Sequence, residues 1–102
     1  MRATIAGLIC LGGCAFVPQK NLRLEEARHD YAEAMATPAV VKFAPAELRL
    51  AAEALERAAA ARDTLDDPAV VDHLAYLAKQ RVAIGREAAL QRALARDIKG
   101  KS

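Results

Sequence analysis

The chain has 102 residues, of which 54% are apolar, 4% aromatic and 27% charged, with a formal net charge of +2. That length holds one small domain, and the charged fraction beside so much alanine and leucine fits long helices better than disorder. Alanine supplies 25 of the apolar positions, and from position 14 onward only 23 of 89 residues are Leu, Ile, Val, Phe, Tyr or Met; this thin supply excludes a sandwich, a barrel or a deep substrate pocket.

Met1 and Arg2 give a positive start, and residues 3–17 carry no charge, with Ile5, Leu8, Ile9 and Leu11 supplying hydrophobicity. Gly12, Gly13 and Pro18 break the run before the roughly 18 apolar residues that a spanning helix needs, so it has the length of a signal-peptide core. The sequence Leu11-Gly12-Gly13-Cys14 resembles the bacterial lipobox, with small residues that let the chain enter a peptidase extended and a sulfur nucleophile that accepts a diacylglycerol. The resemblance implies cleavage between Gly13 and Cys14 and lipidation of Cys14, giving a signal peptide at 1–13 and a tether at 14–20. Several acyl chains at about 0.8 kcal/mol per buried methylene anchor stably where one does not. Cys10 falls inside the cleaved segment, so the mature chain holds one cysteine and no disulfide. The bland alternatives, a small buried hydrophobe at Cys14 or a Cys10–Cys14 pair, explain neither the glycines nor the positive start. Residue 15 is Ala, where the resemblance to lipoproteins of Gram-negative bacteria would place Asp for retention at the inner membrane; in a host with an outer membrane this points to the inner leaflet of that membrane.

From Asn21 to Ala36, Leu24, Ala27, Tyr31 and Ala34/Met35 recur at helical spacing, with Asn21 as the cap. Thr37-Pro38 interrupts this helix, and residues 39–43 read as a buried linker or helical turn. Pro45 opens a second helix to about Leu65, with Leu48, Ala51/Ala52, Leu55, Ala58/Ala59 and Arg62 on one stripe. Asp66-Asp67-Pro68 then caps a third, running to about Ile98, whose periodic set is Val70, Leu74, Leu77, Arg81, Ile84, Ala88, Gln91 and Ala95. This third helix is the longest, so one end projects beyond the hairpin. Gly85 either weakens it by up to about 1 kcal/mol or admits a neighbouring helix. The predicted fold is all-α, a small antiparallel bundle of about three helices over 21–99 with a tail at 100–102.

The near-neutral balance hides an asymmetry: residues 14–72 carry seven basic and eleven acidic groups, residues 73–102 seven basic and two acidic. Arg92, Arg96 and Lys99 form a basic stripe, which either complements the helix dipole or contacts anionic headgroups or cell-wall carboxylates. Nucleic acid is not an expected partner, because the export signal and the absence of an aromatic stacking set argue against it. His29 and His73 lack ligand-spaced companions and read as surface residues. Glu25-Glu26, Asp66-Asp67 and Asp72 read as caps and solvated faces, and Tyr31 and Tyr76 as packing residues with a wet hydroxyl. No catalytic, metal or cofactor set emerges, and no enzyme is expected.

Ala44-Pro45-Ala46-Glu47-Leu48, Ala51-Ala52-Glu53-Ala54-Leu55 and Leu74-Ala75-Tyr76-Leu77-Ala78, following the lipobox, resemble an Ala-rich helical domain of bacterial envelope lipoproteins. That domain, which has no established activity, is often found ahead of an OmpA-like peptidoglycan-binding domain. The resemblance covers roughly residues 1–90, and these 102 residues hold no OmpA-like domain, so peptidoglycan binding is not carried over from the family. The expected function is that of an outer-membrane-anchored, periplasm-facing structural or interaction module. The alternative is a secreted, unlipidated helical binding protein or inhibitor. Val70, Leu74, Leu77 and Ile84 are the expected seam for an envelope protein partner or for self-association.

Overall fold

The computed structural model describes residues 21–101. The expected signal segment, the tether and, with them, Gly13 and Cys14 lie outside the described residues. Every regular element among those described is helical: α1 (Leu22–Met35), α2 (Pro38–Phe43), α3 (Pro45–Asp63) and α4 (Pro68–Lys101). The all-α class is as the sequence predicts, and the connector at 39–43 is a short helix, with Pro38 at its first turn and Val40 buried.

Local chemistry explains each boundary. The Asn21 side chain accepts from the Leu24 amide at 2.9 Å and starts α1. The Ala69 amide donates to the Asp67 carboxylate at 2.9 Å ahead of Pro68, capping α4. Between α3 and α4 the Asp66 amide donates to the Ala61 carbonyl and the Leu65 amide to the Arg62 carbonyl, both at 3.0 Å. This is a Schellman closure, and it places Leu65 at φ 57°, where glycine is the usual residue. At the other end α4 runs through Gly100 to Lys101 instead of stopping near Ile98. Lys99 and Lys101 in its last turn are favoured there by the helix dipole.

The helix α4 is the spine, packed against each of the other three. At 1.5 Å per residue its 34 residues span about 51 Å, against about 28 Å for the 19 residues of α3. The buried set is Leu24, Val40, Leu48, Val71, Val82 and ten alanines. One layer is alanine from three helices, with Ala27 of α1, Ala54 of α3 and Ala78 of α4 in a single cluster. Small side chains let the helix axes approach closely, so cohesion comes from dense backbone packing in place of large side chains.

The inward row of α4 corrects the predicted one. The buried residues are Val71, Ala75, Ala78, Val82, Gly85 and Ala89, each one position after a member of the expected seam. Both rows have the same period, and the row of small residues is the one that permits close approach. Gly85 settles its own alternative: a Cβ there would meet the Cβ of Glu47 at 3.4 Å and the Leu48 Cδ2 at 4.0 Å, both ordinary contact distances, so the first turn of α3 does not need the missing side chain and the glycine weakens the helix.

Candidate functional site

The residues expected to matter for contacts fall on two parts of α4. Val70, Leu77 and Ile84 lie exposed on its outer flank, Ile84 at 52%. Leu74 is half-buried against the cluster of Leu24, Ala58 and Ala75. Arg81, Gln91 and Ala95, members of the same periodic set, are exposed as well, and Ala88 is half-buried. Turning the small row inward thus leaves an apolar row with two polar interruptions facing outward. Leu94 and Ile98, which sequence reasoning did not single out as contact residues, extend the exposed apolar surface along the projecting end, Ile98 at 70%.

The basic stripe does not form one free surface. Arg92 donates to both Glu47 carboxylate oxygens, at 3.1 and 2.7 Å, and to the Phe43 carbonyl at 2.6 Å. It therefore fastens α4 to the junction of α2 and α3. The hydrogen bond from Arg92 holds the Glu47 carboxyl below its ordinary range, and the same bond raises the Arg92 guanidinium. Arg96 rests over the Phe43 ring at 5.9 Å, and Lys42 approaches the same ring at 5.3 Å.

Between α1 and α4 lies an open groove of about 660 Å³, lined by Asp30, Glu33, His73, Tyr76, Lys79 and Arg86 among others. Ion pairs lie across it: Lys79 with Glu26 and Asp30, both at 3.9 Å, and Arg86 with Glu33 at 3.5 Å. These charges neutralise one another from facing helices, and none of them is buried. Tyr76 is 56% exposed in this groove, which corrects its assignment as a packing residue. One position after the inward Ala75, it falls on the flank of α4 that lines the groove instead of in the row that packs. Tyr31 does pack, against the cluster built on Ala34, Val40 and Leu48.

The expected caps and solvated acids fall where the spacing places them. Asp67 caps α4, Asp72 accepts from the Asn21 side-chain nitrogen at 3.0 Å, and Glu25 faces Arg62 at 3.9 Å. Both histidines are exposed, His29 lying 3.4 Å from Glu33. No group of three His, Cys, Asp or Glu residues among those described is placed to hold a metal ion. Among the same residues no helix is long and apolar enough to cross a membrane.

A helical domain with an alanine-rich core and an exposed apolar row on α4 thus accounts for most of the chain, and its family is shown directly. The chain belongs to the family described as Domain of unknown function (DUF4398), which matches residues 22–100. The match spans all of α1 to α3 and nearly all of α4. No curated protein matches the chain, and no solved structure matches it.

Proposed function

We infer that this protein is a lipoprotein held at the inner leaflet of an outer membrane through acylated Cys14. Its helical domain faces the periplasm as a structural or interaction module. The observation that carries this reading is Leu11-Gly12-Gly13-Cys14 at the end of an uncharged run that follows Arg2. Its resemblance to envelope-lipoprotein domains points the same way, and the outward row on α4 supplies a surface for the module to use. Residues 15–20 form a spacer of at most about 20 Å when extended, so the tether keeps the start of α1 close to the bilayer.

The test is metabolic labelling with a fatty acid and membrane fractionation of the full chain and of Cys14→Ala. The native chain takes up label and sediments with outer membrane, whereas the variant loses label and leaves the membrane fraction. Equal labelling and fractionation of the two would sink the reading. A soluble native chain with a mature start other than residue 14 and no acyl mass would favour a secreted binding protein or inhibitor in its place.

A further inference from the structure

We propose that the partner of the outward row on α4 is a second copy of this chain, packed antiparallel along α4. The proposal deepens the interaction-module reading and rests on its assignment of this row as the contact surface.

The row steps by four and three residues through Val70, Leu74, Leu77, Arg81, Ile84, Ala88, Gln91, Ala95 and Ile98, the spacing of a coiled-coil seam. From Leu74 to Ile98 it covers about 36 Å of helix. Laying a second α4 against it antiparallel, with the twofold level with Arg86, sets Leu74 against Ile98, Leu77 against Ala95, Arg81 against Gln91 and Ile84 against Ala88. Each pairing occurs twice across the axis. Two layers match a large side chain to an alanine, as interdigitation requires, and the only two polar members of the row face each other.

The polar layer fixes the register. Sliding one helix by a heptad puts Arg81 on Ile84 and Gln91 on Leu74, or Arg81 on Ile98. Parallel in-register packing puts Arg81 on Arg81. Each alternative leaves a guanidinium facing an apolar side chain or a like charge. The Gln91 side-chain nitrogen already donates to Glu87 of its own helix at 3.3 Å, which leaves its carbonyl oxygen to accept from the arginine of the copy in the chosen register. Within its own chain Arg81 makes no hydrogen bond or ion pair among the described residues.

The same register gives the projecting end of α4 a purpose. Ile98 lies beyond the last buried residue of α4, Ala89, and the second copy covers it with Leu74. Lys101 of one copy comes beside the exposed acidic turn Asp66-Asp67 of the other, so the charge asymmetry of the chain is complementary to itself.

The decisive experiment is disulfide mapping in the full chain within membranes of the expressing cell. Leu77→Cys combined with Ala95→Cys yields a covalent dimer whose linked peptide joins positions 77 and 95. A link within one chain is impossible, since these positions are about 27 Å apart along a rigid helix, against the ~7 Å limit between bridged Cα atoms. Leu77→Cys with Gln91→Cys, one turn out of register, yields little. Monomer alone, equal linking in the two variants, or linkage to a different protein overturns the proposal.

Ile84 is exposed, so Ile84→Arg retains the helical circular dichroism. It places a charge in two layers and raises the dimer dissociation constant by roughly 100-fold, at about tenfold per layer; unchanged sedimentation would count against pairing here. Fatty-acid labelling is scored on the same cells. Links without label refute the anchor and leave the pairing standing, whereas label without links refutes the pairing alone.

Discussion

Two rows of side chains run next to each other along α4 with one period, and their fates are opposite. Val71, Ala75, Ala78, Val82 and Ala89 are at most 2% exposed, whereas Val70, Leu77 and Ile84 are 41% exposed or more. The inner row is the smaller in volume. Burial in this bundle therefore follows how closely two helix axes can approach, and the bulkier side chains are left for a surface outside the bundle.

The sharpest way to break that comparison is to enlarge the inner row. Ala78→Leu inserts bulk where Ala27, Ala54 and Ala78 converge. The expected cost is about 3 kcal/mol, which corresponds to a fall in Tm of about 15 °C for a domain of this size. A thermal melt unchanged from the native protein would show that the inner row has been misassigned.

Smaller effects of opposite kind come from Gly85→Ala on the inner row and Leu77→Ala on the outer. The added methyl at position 85 meets Glu47 at an ordinary contact distance of 3.4 Å, so the gain in helix propensity, up to about 1 kcal/mol, is retained. Leu77→Ala changes the stability of the monomer by less than about 0.5 kcal/mol while weakening self-association. Urea unfolding at low protein concentration separates the two. A large loss of monomer stability for Leu77→Ala would erase the distinction between the rows.

The smallest effect is electrostatic and lies where the inner row ends. Because Glu47 is held below its ordinary range by Arg92, the folded protein binds that proton more weakly than the unfolded chain does. The stabilisation is fully present above the ordinary carboxylate range and is lost as the pH falls through the depressed value. Arg92→Met therefore lowers Tm slightly at neutral pH, and its melting curve converges with the native one in acid. A difference in Tm that is the same at every pH would exclude this linkage.

Much of the architecture was legible because it is written in local chemistry. Asn21, Pro45 and the Asp67-Pro68 pair start their helices where cap and proline geometry predict. The helical nature of residues 38–43 was only half legible, since six residues with Val40, Val41 and Phe43 have no amphipathic period long enough to read. Nor was Arg92 readable as a clamp. Its membership of a basic stripe is visible in sequence, but Glu47 lies 45 residues away and meets it only when α3 and α4 pack. Tyr76 was misread for a related reason, because helical spacing alone does not say which side of α4 faces its neighbours.

By itself the sequence determined the helical class and the starts of the three longer helices, which depend on residues near one another in the chain, as does the Leu11-Gly12-Gly13-Cys14 segment on which the proposed anchor rests. Only the tertiary structure decided which of two equivalent rows on α4 became core. That choice depends on the distance between helix axes, and side chains as small as those of Ala75, Ala78 and Ala89 set this distance only once α1 and α3 lie against them.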